Sequence, residues 1–337
     1  MALFFSCSSN DDDTFTGNES EETVTLLIAA PKSVTTRAVG DPGEAVTEGE
    51  DWDKLAVILA YTELVTDGVN STPVRVETLT KKDFESLPIY LGTTYRQLRL
   101  NVPRGKVHIY GVTYSDGADK ELEKAIQECN GSTDEDKVTA LTISNDYASG
   151  DAGQTEKFLS VATGYYQDNS GGLAEYDISN KNPIYGELAP SIPSMRLVRL
   201  AANIDIQWDA QDAYTQGYTD VGVDGFTFYN TSDETETGKG MGCLFPELYT
   251  GTETFAGQSL FVNTSAVSKR NGRVYHYVFP SKGTPHVKFN LSATMDDAVR
   301  QDSYTFQFPG KIQKSTWYKV NTTIRGVTGT TTITLNN

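Results

Sequence analysis

The residues whose side chains could do chemistry are few and lie far apart in the chain. Its 337 residues include three histidines, His108, His276 and His286, and three cysteines. None of them has the spacing of a catalytic or metal-binding group. His108 and His276 lie inside apolar strand patterns, which favours a packed or surface role over acid–base catalysis. We therefore expect no catalytic residue, no metal, no cofactor and no enzymatic activity.

Two further patterns superficially resemble ligand loops. The segment 238–242, GKGMG, lacks the spacing of a phosphate-binding loop and the Ser or Thr after its lysine, so we expect a hairpin turn. The acidic clusters 48–51, 134–136 and 233–236 lack calcium-loop spacing, which indicates solvated turns. The sequence does not exclude a glycosidase-type pair of carboxylates, because only the fold sets the distance between two such groups.

The composition is that of a globular protein with many strand-forming aromatic residues. Hydrophobic residues make up 38% of the chain, with 18 Tyr and 14 Phe, and the length is enough for two domains. The net charge of −17 repels phosphate backbones, so we do not expect a nucleic-acid partner. Cys129 and Cys243 are either buried thiols or a single disulfide. No apolar run is long enough to predict a membrane span.

One peptide bond has the context of a proteolytic cleavage site. Arg37 stands alone between the small, polar residues 32–36 and Ala38, as in an extended, accessible trypsin-like site. Just before it, the apolar run 24–30 is bounded by Pro31, which predicts a buried strand. Cleavage between Arg37 and Ala38 would make this strand detachable. The side chains expected to hold it in place are Val24, Leu26, Leu27 and Ile28.

The rest of the first half predicts a β-domain with one clear helix. Residues 54–62 are the strongest apolar run and indicate a strand buried on both faces. Residues 119–129 place apolar side chains at three- and four-residue spacing, which predicts a helix packed on the sheet. Proline-rich residues 180–193 indicate a domain junction. We expect the strand at 54–62 to share one sheet with the alternating runs 74–79, 98–102 and 106–114.

The second half predicts strand after strand, at the spacing of a β-sandwich. Residues 194–208 indicate one long strand, because Ile204, Ile206 and Trp208 continue a period of two; a helix over the first half is the alternative. Residues 330–335 indicate a final strand. A strand at each end of a chain can pair with an exposed sheet edge of another copy. Because such contacts are head-to-tail and need not close into a ring, they can build an open filament.

The amino terminus has the features of an export address. Residues 1–7, MALFFSC, look like the end of a secretory signal that stops at a cysteine, and the polar, acidic residues 8–13 follow as a tether. This pattern resembles bacterial lipoproteins, particularly the surface-exposed lipoproteins of Bacteroidetes, in which the residue corresponding to Cys7 is acylated. The alternative is a disordered tail with an incidental cysteine.

Four features together resemble the fimbrillins of Bacteroidetes, the subunits of type V pili best known from oral Porphyromonas. They are Cys7 with its polar tail, the strand that ends in TTRA at residues 35–38, the mid-chain segment SMRLVRLAANIDI, and the late segment WYKVNTTIRG. The features are spread over the whole chain. None is specific alone, and their order and spacing carry the resemblance.

The resemblance implies a fold, a route of export and a proteolytic step before assembly. The fold would be mainly β, with one or two short helices and two transthyretin-like β-sandwich domains in tandem, 23–189 and 190–337, after a signal remnant and tether at 1–22. The precursor would be an outer-membrane lipoprotein exported to the cell surface. An arginine-specific or trypsin-like protease would cut at Arg37, and a strand from a neighbouring fimbrial subunit would replace residues 24–30.

Within that scheme the last strand is the candidate donor to a neighbouring subunit. Its residues expected to take part are Thr330, Thr332, Ile333 and Leu335. The sequence does not decide whether the chain would be a shaft, tip or anchor subunit of a fimbria. The alternative function is a surface lipoprotein that binds a glycan or a host protein through the aromatic-rich second half, does not polymerise and keeps its first strand permanently.

Overall fold

The computed structural model describes residues 21–31, 52–64, 73–115, 120–145, 160–178, 192–229, 240–250, 260–263, 270–280 and 283–336. Cys7, Arg37 and Ala38 lie outside these ranges, so acylation and cleavage at these positions remain predictions. Among the described residues, the chain has no helix that is both long and apolar enough to cross a membrane.

The described part of the first half is made of short strands with three helices. The elements are β1 (Glu21–Ala29), β2 (Lys54–Leu64), β3 (Val74–Thr80), α1 (Lys81–Ser86), β4 (Arg96–Pro103), β5 (Gly105–Tyr114), α2 (Lys120–Cys129), α3 (Asp136–Thr139), β6 (Thr142–Asn145), β7 (Ala162–Tyr165), β8 (Glu175–Asp177), β9 (Ser194–Arg196) and β10 (Val198–Arg199).

The described part of the second half adds nine strands and one helix. These are β11 (Ala202–Asp209), α4 (Gln211–Thr215), β12 (Thr219–Tyr229), β13 (Gly240–Cys243), β14 (Leu260–Asn263), β15 (Asn271–Val278), β16 (His286–Met295), β17 (Ala298–Gln307), β18 (Trp317–Arg325) and β19 (Thr328–Asn336). The prediction of a mainly-β chain is confirmed, but the described residues contain four short helices instead of one or two.

The first sandwich packs a three-stranded sheet on a six-stranded sheet. The smaller sheet has the order β4-β1-β9, and the larger has the order β10-β7-β5-β2-β3 with β8 paired to β5. Successive residues of β2 lie on opposite faces of the larger sheet and pack in two different cores. Leu55, Val57 and Leu59 face the smaller sheet, whereas Ala56 and Ile58 pack in a second core with α2. The prediction that this strand is buried on both faces is therefore confirmed.

The second sandwich packs two four-stranded sheets on each other. Their orders are β15-β11-β18-β19 and β14-β12-β16-β17. Its core is rich in aromatic rings, and Phe289 contacts the rings of Trp208, Phe226 and Phe306 at centroid distances of 6.5, 5.7 and 5.9 Å. The tandem arrangement of two sandwiches agrees with the expected architecture.

Strand β4 is not in the sheet where we expected it. It pairs with β1 in the smaller sheet, while β2, β3 and β5 share the larger one. The chain crosses from one sheet to the other between β4 and β5, at Gly105. A Cβ atom there would lie 2.1 Å from the carbonyl oxygen of Glu63, so the corner requires glycine. Alternating burial alone does not say which sheet a strand joins.

The expected long strand over residues 194–208 is three strands instead of one. β9 pairs with β1, β10 pairs with β7, and β11 pairs with β15 and β18 of the second sandwich. Each break moves the chain to a different sheet, although the apolar pattern continues through both breaks. Pairing with the first sandwich thus extends to Arg199, beyond the junction expected at residue 190.

Segments of the second half complete the core of the first. β13 pairs with β6, so residues 240–242 form strand where we expected a hairpin turn. Leu244, Phe245 and Phe279 are fully buried in the core formed by α2 and the larger sheet. Cys129 and Cys243 are not joined by a disulfide. Burial raises the pKa of the Cys129 thiol to about 11, so it behaves as a packed, protonated group.

Lys314 is a buried lysine that forms polar contacts between the two halves of the chain. Its Nζ donates to Thr163 Oγ1 at 2.9 Å and lies 3.0 Å from a carboxylate oxygen of Glu247. Burial lowers the pKa of this lysine, and the Glu247 carboxylate opposes that effect. The loop before β18 is thereby tied to β7 of the first sandwich.

Glu135 forms a second partly buried cluster, next to α3. It accepts hydrogen bonds from the Tyr110 hydroxyl and from His108 Nδ1, the latter at 2.7 Å. Burial alone would raise the pKa of the Glu135 carboxyl, but the hydrogen bonds from His108 and Tyr110 outweigh it and hold the pKa below its ordinary value. Burial, and then the hydrogen bond to Glu135, raise the pKa of Tyr110.

We expect Glu135→Gln to lower the free energy of unfolding by about 1–3 kcal/mol at neutral pH, because two hydrogen bonds lose their charged acceptor. A carboxyl whose folded-state pKa is depressed stabilises the fold above its ordinary pKa, and this stabilisation is lost as the pH falls through the folded value. Urea denaturation at neutral and acidic pH measures the effect. The exposed Glu128→Gln is the control. Equal unfolding free energies for the two variants at neutral pH would contradict this assignment.

Candidate functional site

The candidate site is the position of β1 in the smaller sheet. β1 is the middle strand, antiparallel to β4 and parallel to β9. Leu26 stands opposite Leu98 of β4, and Ile28 lies between Arg96 of β4 and Met195 of β9. β1 is therefore paired with β4 from Glu21 to Ile28, and with β9 over its last three residues, Leu27 to Ala29.

The side chains predicted to hold this strand are buried in the structure. Val24, Leu26 and Ile28 are 3%, 2% and 0% exposed and share one face, which packs in the core of the first sandwich. Leu27 is also buried, on the opposite face of the strand. The observed strand starts three residues earlier than predicted, at Glu21, and ends at Ala29 instead of Ala30.

Polar contacts fasten both ends of β1. At its start, an oxygen of Glu22 lies 2.5 Å from a guanidinium nitrogen of Arg104. At its end, the Leu197 amide donates to the Ala29 carbonyl at 2.8 Å, and the Trp52 indole N–H donates to the Pro31 carbonyl at 3.2 Å. Sequence reasoning missed these contacts, since their partners lie far away in the chain.

The burial of β1 is energetically large. Four fully buried Val, Leu and Ile side chains contribute roughly 1.5–3 kcal/mol each, or about 6–12 kcal/mol before the entropy of ordering the strand is subtracted. That is comparable to the whole stability of a typical domain. The strand would therefore remain in place after a cut at Arg37, unless another segment replaced it.

Without β1, the smaller sheet would have a slot one strand wide. β4 and β9 would each present unpaired backbone groups, and the core would be open where Val24, Leu26 and Ile28 had been. Exposed strand edges of this kind pair readily with an extended segment of another chain. A replacement strand that follows the same backbone pattern has to run antiparallel to β4 and parallel to β9. It also has to carry apolar residues at alternate positions.

The candidate donor β19 lies in the second sandwich. It forms a hairpin with β18 over its whole length, at the edge of its sheet. Thr330 and Thr332 are exposed, whereas Ile333 packs against the core, and the side chain of Leu335 lies outside the described residues. A hydrogen bond of 3.1 Å from the Tyr304 hydroxyl to Thr331 Oγ1 ties β19 to β17. The structure thus shows β19 as a bound strand of its own sandwich.

The histidines lie in three different places. His108 contacts Glu135, and His286 is buried and stacks on Tyr229 with ring centroids 4.7 Å apart. His276 belongs to β15, and its side chain lies outside the described residues. Among the described residues, His, Cys, Asp and Glu side chains form no group of three that could hold a metal ion.

Leu26→Ala should lower the free energy of unfolding by about 2–5 kcal/mol, because it leaves a cavity where β1 meets the core of the first sandwich. Leu91→Ala is the matched control, since it removes the same atoms from a side chain that is 82% exposed. Denaturant unfolding of the uncut protein measures both changes. If Leu26→Ala and Leu91→Ala lowered the free energy of unfolding equally, the packing of β1 in the core would be contradicted.

Comparison with known proteins gives structural similarities at low sequence identity. No protein-family model and no curated protein matches the chain. A candidate cell adhesion protein from Parabacteroides distasonis has a TM-score of 0.47 and 12% identity, over 94% of this chain and 99% of its own. The tip fimbrial protein Mfa3 from Porphyromonas gingivalis has a TM-score of 0.45 and 9% identity, over 94% of this chain and 100% of its own.

The fimbrial anchor protein Mfa2 from Porphyromonas gingivalis has a TM-score of 0.38 and 11% identity, over 93% of this chain and 97% of its own. These three solved structures are of proteins described as adhesion or fimbrial proteins, and their identity to this chain is 9–12%.

Proposed function

We propose that this chain is a subunit of a cell-surface fimbria that assembles by strand exchange and contributes to adhesion. A trypsin-like or arginine-specific protease cuts after Arg37. β1 then leaves its slot, and a strand from a neighbouring fimbrial subunit takes its place. The observation that carries the proposal is the position of β1, a central core strand that is joined to the rest of the protein through the segment containing Arg37.

The energetics favour exchange over simple release. Loss of β1 exposes roughly the apolar surface of four large side chains, which costs about 6–12 kcal/mol when nothing replaces them. An incoming strand with a similar apolar face recovers most of that free energy, and the exchange becomes nearly neutral overall. Proteolysis makes the exchange directional, because it turns β1 from a tethered segment into a separate peptide that can diffuse away.

Cleavage also reduces the charge that subunits must overcome to associate. Residues 1–37 carry −4 of the net charge of −17, which leaves −13 on the mature chain. This repulsion is between surface charges and is screened beyond about 8 Å in physiological salt. Burial of an exchanged strand contributes several kcal/mol, which is more than the screened repulsion removes.

In this proposal, Cys7 and β19 have different roles. Cys7 carries the lipid that holds the precursor at the outer membrane during export. β19 is the candidate donor, through Thr330, Thr332, Ile333 and Leu335. To donate, β19 has to separate from β18, and its edge position means that it gives up one paired neighbour instead of two. A donor from a different fimbrial subunit would meet the same slot between β4 and β9.

We expect an arginine-specific protease to cut the folded protein after Arg37 and to leave the remainder folded, with β1 still bound. The cut protein should then take up a labelled synthetic peptide of residues 21–31, because the free β1 fragment can be displaced. Arg37→Gln is the control, since it should resist the cut and exclude the peptide. Native mass spectrometry measures the cleavage and the bound peptide together.

Two results would contradict the proposal. One is a folded protein whose Arg37 resists the protease, or which breaks into many fragments. The other is a cleanly cut protein that excludes the peptide and stays monomeric at high concentration. The second result would favour the non-polymerising adhesin, in which the first strand is permanent.

A further inference from the structure

A groove of about 600 Å³ lies on the second sandwich, away from the elements that form the β1 slot. It is lined by residues of α4, β12, β16 and β17 and by Arg270. Ser292 and Thr294 of β16 alternate with the buried Leu291 and Ala293, so the floor of the groove is the outer face of the sheet. A concavity of this size can take a small ligand.

Most of the side chains that line this groove can form hydrogen bonds. Asp220 and Asp224 of β12 supply carboxylates, Gln301 of β17 supplies an amide, and Arg270 supplies a guanidinium group. Each hydroxyl of a sugar is both a donor and an acceptor, so a set of acceptors, donors and an amide can bind several neighbouring hydroxyls at once. A purely apolar ligand would displace water from these polar groups without offering hydrogen bonds in return, which costs free energy.

The groove also has an apolar part. The Arg270 guanidinium lies 4.3 Å from the centroid of the Tyr214 ring, and the Tyr214 hydroxyl donates to the Val221 carbonyl at 3.2 Å. The Arg270 guanidinium also donates to Gln211 Oε1, and it covers one face of the Tyr214 ring. Val299, 69% exposed, adds an aliphatic surface. A sugar ring has C–H surfaces as well as hydroxyls, and it matches a lining that combines both kinds of group.

The charges of the groove select among sugars. Asp220 and Asp224 against Arg270 give the lining a net charge of −1, in a chain whose total charge is −17. Sialylated, sulfated and phosphorylated ligands would meet repulsion from both the groove and the rest of the protein. Neutral sugars avoid this cost and still match the hydrogen-bonding groups of the lining.

We propose that this groove binds neutral carbohydrate and is a ligand-binding site of the second sandwich. The site does not depend on strand exchange, because its lining residues belong to elements that removal of β1 leaves in place. A subunit in a filament and an isolated monomer would both present it.

The test is saturation-transfer NMR of the full chain with galactose, mannose, glucose, fucose and N-acetylglucosamine, and with N-acetylneuraminic acid and a lysine-rich peptide as charged probes. At least one neutral sugar should bind. Asp220→Asn and Gln301→Ala should each weaken that binding by about tenfold, the loss expected for one hydrogen bond to the ligand. Asp220 has φ 50°, a conformation that asparagine also adopts readily, so the first variant keeps the backbone unchanged.

Gln307→Ala is the matched control, because it makes the same change on the same face of β17 at a residue outside the groove. It should bind as the unchanged protein does, and thermal unfolding confirms that all variants are folded. The proposal is overturned if none of the five neutral sugars binds or if Gln301→Ala and Gln307→Ala bind equally. It is also overturned if a charged probe binds and the neutral sugars do not.

Discussion

The structure depends on the backbone pairing of β1 on both of its edges. A strand in the middle of a sheet satisfies hydrogen-bonding groups of two neighbours, so its loss exposes two rows of unpaired donors and acceptors and opens the core beneath. β9 is the last strand of the smaller sheet and has β1 as its neighbour there. β1 thus joins β4 and β9 into one sheet of the first sandwich.

The sequence predicts much of this arrangement and misses the part that depends on distant partners. The strands 24–30, 54–62 and 330–335 are predictable because apolar residues and turn residues mark them locally. The walls of the slot are not, because β4 has the same alternating pattern as strands of the other sheet. The run from Ser194 to Trp208 contains neither glycine nor proline, although the chain joins three sheets within it. Its breaks are therefore set by tertiary pairing.

In the proposed function, the two sandwiches have different roles. The first contains the slot and a core that is sensitive to the loss of one strand, whereas the second has an aromatic core formed by its own two sheets. Lys314, bonded to Thr163 and paired with Glu247, joins the second to the first at a buried point.

The most direct test of the β1 account is backbone amide hydrogen exchange in β4, measured on the uncut protein, on protein from which β1 has been removed, and on assembled polymer. The account predicts slow exchange in the uncut protein, fast exchange after β1 is removed, and slow exchange again on assembly, because an incoming strand takes over the same hydrogen bonds. Amides of β4 that exchange equally slowly in all three states would contradict it.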